Sequence, residues 1–98
     1  MKNTAILIGN SDDKLSQVLW AEFIEQVKFV LEKANKIFYF CGGSDCSSYY
    51  QNYCFVVSGS ISSELWSELD GIRLVYKQEA IATIEGESVM IGDPFYNE

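Results

Sequence analysis

The sequence predicts a single α+β domain, and three observations lead to that prediction. Two long segments repeat apolar residues with the spacing of an amphipathic helix, at residues 15–34 and 61–76. Short apolar runs rich in β-branched and aromatic residues are typical of strands, and there are four of them: 4–8, 37–41, 52–57 and 80–84. The chain has 98 residues, 48% of them hydrophobic and 21% charged, so one globular domain over residues 1–98 is expected.

The first strand and helix have clear start and stop signals. Gly9 ends the strand, and the residues that follow it favour the N-terminus of a helix: Ser11, Asp12, Asp13 and Ser16. Most apolar residues of the helix fall in one broad sector, so it should lie flat on a sheet. Val18 and Phe29 project from the polar side instead and form a candidate patch for a partner.

The second half of the chain repeats this plan. Gly42 and Gly43 should end the second strand, and a polar loop leads to the third. In the second helix one narrow stripe is apolar, and Gly71 predicts a bend or an end. After the fourth strand, Gly86 should turn the chain so that residues 89–91 add a short edge strand.

The resulting order, β-α-β-β-α-β, is the ferredoxin-like pattern, an antiparallel sheet with both helices on one face. In such a sheet one face is open to solvent. The two middle strands are apolar on both faces, however, because residues 37–41 and 52–57 contain no charged side chain. We therefore expect the open face to be covered, either in a homodimer that packs sheet to sheet or around a small ligand.

Composition excludes several classes of function. The chain has 7 basic and 14 acidic residues, a net charge of −7 and no histidine. Direct binding to nucleic acid or to an anionic membrane is not expected at this charge, and imidazole-based catalysis is impossible. The sequence shows no signal peptide and no membrane span. Cys41, Cys46 and Cys54 lack the spacing of a zinc site, so we predict free thiols, a cytoplasmic location, and no metal or other cofactor.

Two groups of residues are candidates for a pocket or an interface. Asn10, Asp12 and Asp13 form an acidic turn that suits a cation or a general base, whereas the alternative is simple helix capping. Tyrosines combine a large ring with a polar tip and are favoured at interfaces and in ligand pockets. The tyrosines with this potential lie on the second strand, the loop and the third strand: Tyr39, Tyr49, Tyr50 and Tyr53.

Two segments resemble a known group of proteins. Residues 6–15 (ILIGNSDDKL), which lead into Trp20 and Phe23, and residues 76–82 (YKQEAIA) are similar to small uncharacterised proteins encoded by mobile DNA, particularly integron gene cassettes. Such proteins are often compact oligomers without assigned substrates. The resemblance implies a bacterial cytoplasmic setting, and no catalytic residue can be carried over from it.

Three functions remain open on the sequence. The leading hypothesis is a non-enzymatic homodimeric module that binds a protein partner or a small aromatic ligand. A small-molecule enzyme with Asn10, Asp13 and a tyrosine converging in one pocket is the first alternative. The second is an acidic inhibitor that mimics nucleic acid, based on the C-terminal carboxylates Glu79, Glu85, Glu87 and Asp93.

Overall fold

The fold is seen in a computed structural model, which describes residues 1–44, 51–89 and 91–92. The chain order is β1 (Lys2–Gly9), a 3₁₀ turn (Ser11–Asp13), α1 (Gln17–Lys33), β2 (Phe38–Gly43), β3 (Asn52–Ser58), α2 (Ser63–Val75) and β4 (Ala82–Glu87). The four strands form one antiparallel sheet in the order β2-β3-β1-β4. This confirms the ferredoxin-like prediction.

The core lies between the helices and one face of the sheet. On β1, side chains alternate between buried and accessible, and Ile6 and Ile8 point to the helices. On β3, Phe55 and Val57 do the same and are fully buried. Because side chains of a strand alternate between its faces, this side of the sheet is the one both helices cover.

A serine caps the N-terminus of each helix, and each helix buries the stripe that the sequence predicts. The hydroxyl of Ser16 accepts a hydrogen bond from the Leu19 amide at 3.2 Å, and that of Ser62 accepts one from the Leu65 amide at 3.1 Å. The side chains that the helices contribute to the core are Trp20, Phe23, Val27, Val30, Leu31, Leu65 and Leu69. Gly71 neither bends nor ends α2, which continues to Val75.

The prediction that glycines end strands was wrong at Gly42 and Gly86. Gly42 lies inside β2, of which Gly43 is the last residue, and Gly86 lies inside β4 opposite Asn3. Ladder hydrogen bonds use backbone atoms, so a glycine weakens a strand without interrupting it when both neighbours are paired. Val89 and Ile91 are not in a strand, and Met90 lies outside the described residues.

Candidate interaction surface

The face of the sheet opposite the helices is uncovered by any described residue, and we call it the open face. Cross-strand register places its side chains in two central rows. One row is Phe40, Val56, Ala5 and Ile84; the other is Gly42, Cys54, Leu7 and Ala82. The face is therefore apolar across all four strands.

Large side chains on the open face are partly exposed to solvent. The exposed fraction is 38% for Leu7, 55% for Phe40 and 65% for Ile84. A β-bulge lies between Phe38 and Phe40, and the hydroxyl of Tyr39 reaches the Met1 Sδ at 3.8 Å. Tyr39, a predicted interface residue, is thus 47% exposed at the rim of this face.

Gly42 creates a hollow on the open face near the edge strand β2. A Cβ built on Gly42 would lie 2.7 Å from Cζ of Phe40, which means that the phenyl ring lies against the glycine. The neighbour of Gly42 on β3 is also small, because Cys54 lies directly opposite it in the same row. The result is a hollow of about 320 Å³ bounded on the open side by Leu7, Phe40 and Cys54.

The open face carries no ionised side chain on any of its strands. The charged strand residues are Lys2 on β1 and Glu85 and Glu87 on β4, and they belong to the opposite set of the alternation. Among the described residues, the charged side chains therefore lie on the helices, in the connections and on the helix side of β1 and β4.

In the acidic turn, the buried Asn10 side chain connects two segments of the chain through hydrogen bonds. Asn10 is 5% exposed, its amide nitrogen donates to the Leu15 carbonyl at 2.9 Å and to Oε1 of Gln51 at 2.7 Å, and its Oδ1 accepts from the Leu15 amide at 2.9 Å. This clamp joins the start of α1 to the start of β3. Asp12 and Asp13 are exposed, with φ values of 54° and 51°.

The capping role predicted for the two aspartates was wrong. The N-cap is Ser16, and α1 has no acidic residue in its first turn. Asp12 and Asp13 lie in the preceding 3₁₀ turn, before Gln17, the first residue of α1. A left-handed backbone at two consecutive non-glycine residues costs energy, although Asn and Asp adopt it more readily than other residues.

A second polar clamp was missed by the sequence analysis. Gln78 is 3% exposed; its Oε1 accepts from the Ser11 amide at 2.7 Å, and its side-chain nitrogen donates to the Tyr76 carbonyl at 3.0 Å. It fixes the 3₁₀ turn to the connection between α2 and β4. A glutamine in a polar connection gives no sequence signal of burial, so only the structure identifies it.

The other predicted site residues do not form one cluster. Tyr53 lies on the helix side of β3, with its ring centroid 5.0 Å from that of Phe55. Val18 and Phe29 are both exposed on α1, but eleven residues at 1.5 Å each separate them by roughly 16 Å. Lys33 Nζ lies 5.7 Å from the Phe29 ring centroid. Tyr49 and Tyr50 lie outside the described residues.

The cavities on the helix side include one of about 520 Å³, between the start of α1 and the end of α2, which is lined by Lys14, Leu15, Leu19, Glu22, Val75, Tyr76 and Lys77. Burial raises the pKa of the Tyr76 phenol, and the Glu22 carboxylate, 3.4 Å away, raises it further. Another, of about 410 Å³, lies between α1 and α2, and one of about 220 Å³ lies between α2 and β4. Asn10, Asp12 and Asp13 line none of these three cavities.

The cysteines that the structure describes are free thiols. Cys41 is exposed and Cys54 is half-buried, whereas Cys46 is outside the described residues. Burial raises the pKa of the Cys54 thiol, and the neighbouring Cys41 adds to that shift. Since the thiolate is the reactive form, Cys54 is a poor nucleophile at neutral pH.

The described residues contain neither a candidate metal site nor a candidate membrane span. Within residues 1–44, 51–89 and 91–92, no three His, Cys, Asp or Glu side chains are grouped to hold a metal ion. Over the same residues, neither helix has the length and apolar character needed to cross a bilayer. No protein-family model and no curated protein matches the chain.

Proposed function

We propose that the protein is a homodimeric protein-interaction module whose two copies associate through the open face. The observation that carries this proposal is the uncharged, apolar composition of that face across all four strands. Solvated faces of antiparallel sheets normally carry polar and charged side chains. An uncovered apolar face of this extent is typical of an interaction site.

Charge supports a second copy as the occupant. Two chains of net charge −7 repel each other, and an interface between them is favourable only where few carboxylates are brought together. Open-face packing meets that condition, because Glu85 and Glu87 belong to the other side of β4. The hollow beside Phe40 would take an apolar side chain of the second copy.

The size of the face is compatible with a modest dimer interface. Four strands spaced about 4.8 Å apart, each with six residues at about 3.3 Å, give a face of roughly 400 Å² in projection. Ile37 and Met1, at 61% and 71% exposure, extend the apolar area at one end of β2 and β1. A standard interface buries about 800 Å² of accessible surface on each partner, so we expect this interface to lie at the small end of the range.

Sedimentation equilibrium on two matched lysine variants tests the proposal. Ile84 on the open face and Leu74 on α2 are 65% and 60% exposed, so a lysine side chain at either position is solvated to the same degree in the monomer. Ile84→Lys places one charge from each copy inside the interface and should make the chain monomeric. Leu74→Lys should leave the dimer constant within a factor of two.

Two results would contradict the dimer. One is a wild-type chain that is monomeric throughout the micromolar range. The other is equal weakening by both lysine variants, which would move the interface to the helices. Circular dichroism is the control for folding: the spectrum of each variant should match that of the wild type.

The cellular setting is a further part of the proposal. Free Cys41 and Cys54 suit a reducing compartment, which supports a cytoplasmic location. The resemblance to mobile-DNA proteins stays a prediction.

A further inference from the structure

A second surface, independent of the open face, lies along the outer edge of β4. This strand is at the end of the sheet order, and all six of its residues are exposed. Unpaired edge strands offer their backbone groups to any extended chain that approaches. We propose that β4 binds an extended segment of another protein as an additional antiparallel strand, and that this segment has a basic residue and an apolar residue at alternate positions.

The hydrogen-bond register identifies which backbone groups are available. The Ser88 amide donates to the Met1 carbonyl at 2.8 Å, so Ser88 points towards β1. Alternate residues of a strand point the same way, which assigns Ile84 to the paired side. The amides and carbonyls of Thr83, Glu85 and Glu87 therefore point outward, away from β1.

A groove next to this edge can receive one side chain of the incoming strand. It lies between α2 and β4, has a volume of about 220 Å³, and we call it the β4 groove. Its walls include Trp66, Leu69 and Ile81, with Thr83 at the strand. Small-molecule pockets usually measure about 300–1,000 Å³, so this volume fits a single apolar side chain better than a free ligand.

The charged side chains near the β4 groove indicate which residue of the incoming segment should accompany the apolar one. Arg73 in the groove is already neutralised, since its Nε lies 2.7 Å from Oδ1 of Asp70. Glu87 binds the N-terminal ammonium at 2.8 Å and lies opposite Lys2. Glu85 is exposed and takes part in none of the salt bridges of the described chain.

The order of the two residues follows from the geometry. Glu85 and Thr83 share the helix side of β4, and an antiparallel segment meets Glu85 first and Thr83 second. The segment is thus basic-x-apolar, with Lys or Arg opposite Glu85 and the apolar side chain in the β4 groove. The intervening residue lies beside Ile84 at the edge of the open face. This mode of recognition takes affinity from backbone hydrogen bonds and specificity from alternate side chains.

Two labelled peptides of equal composition provide the first test. The probe is acetyl-Thr-Lys-Val-Leu-Thr-amide, and the control, acetyl-Thr-Val-Lys-Leu-Thr-amide, puts its lysine and leucine on opposite sides of the strand. Fluorescence anisotropy should show binding of the probe at least tenfold tighter than binding of the control. Equal binding of the two peptides, or no binding of the probe at millimolar concentration, would overturn the proposal.

Charge variants separate a specific contact from general attraction to an acidic protein. Glu85→Lys should weaken binding of the probe at least tenfold, whereas Glu25→Lys, on the exposed side of α1, should change it less than twofold at the same ionic strength. If both variants weaken binding equally, the attraction is nonspecific and the proposal fails.

Hydrogen exchange on the unmodified chain gives an answer that does not depend on any variant. In the free protein, the amides of Glu85 and Glu87 should exchange much faster than that of Ile84. Saturation with the probe peptide should protect Glu85 and Glu87 at least tenfold and leave Ile84 unchanged. If Glu85 and Glu87 are already protected in the free protein, another part of the chain or a second copy occupies the edge, and the proposal is wrong.

Discussion

The two faces of the sheet are both apolar, yet they differ in the shape of their side chains. The covered face has large residues that interlock with the helices, such as Phe55 and Ile6, both fully buried. The open face alternates large and very small residues, with Gly42 and Ala82 in the row of Leu7. The first pattern builds a core, and the second leaves ridges and hollows that projecting side chains of a partner surface can fill.

The largest expected effect tests whether the two faces contribute differently to folding. Phe55→Ala leaves a cavity in the core and should lower the free energy of unfolding by about 3–5 kcal/mol. Phe40→Ala removes the same ring from the open face, and at high dilution it should cost about 1 kcal/mol or less. Urea denaturation at two protein concentrations measures both. Equal losses at high dilution would mean that the open face is part of the folding core.

The second prediction concerns the polar clamp at the end of the covered face. Asn10→Ala leaves the Leu15 amide and carbonyl without their side-chain partner, and it should cost about 2–3 kcal/mol of unfolding free energy. Gln26→Ala, an exposed amide on α1, is the control and should stay within about 0.5 kcal/mol of wild type. A loss of similar size in both variants would show that Asn10 is not a clamp.

The third prediction concerns the pH dependence of stability, which depends on Tyr76 on the covered side. The pKa of Tyr76 is raised by burial and by Glu22, so its neutral form stabilises the fold below the ordinary value of 10.0, and this contribution is lost as pH rises through the folded pKa. Tyr76→Phe should therefore lose less stability than the wild type as the pH rises above 10.0. Urea denaturation of the two proteins at several alkaline pH values measures the difference. Identical slopes of stability against pH in the wild type and Tyr76→Phe would contradict this assignment.

The smallest effect is expected at the C-terminal end of β4, where Glu87 binds the N-terminal ammonium. The N-terminal ammonium lowers the pKa of Glu87, first by its hydrogen bond and then by its charge. A lowered pKa contributes stability above the ordinary value of 4.5 that is lost as pH falls through the folded pKa. Glu87→Gln should be slightly less stable than wild type at neutral pH and equally stable in strong acid. A difference that persists in acid would rule out the ion pair as its cause.

The sequence was sufficient for the order and type of the elements because periodicity is strong in both helices and in β1 and β3. It failed at glycines, since Gly42 and Gly86 are paired through backbone atoms that are the same in every residue. The sequence also could not identify which of the candidate caps, Ser16 or the acidic residues before it, begins α1. These errors concern the boundaries of the elements.

The open face was predictable as a surface but not as a site. The alternation in residues 37–41 and 52–57 already showed that both faces are apolar. What required three dimensions was the register, which aligns Ile84 with Phe40 across four strands and turns Glu85 to the other side. The β4 groove and the Gln78 clamp join residues that are distant in sequence, so no local sequence pattern predicts them.

The most direct test of the open-face dimer is an isotope-filtered NMR experiment on an equimolar mixture of labelled and unlabelled chains. The proposal predicts nuclear Overhauser contacts between the methyl groups of Leu7, Val56 and Ile84 in one copy and the Phe40 ring of the other. Contacts between copies that involve α1 or α2 residues instead, or a complete absence of contacts at concentrations where the chain is dimeric, would contradict it.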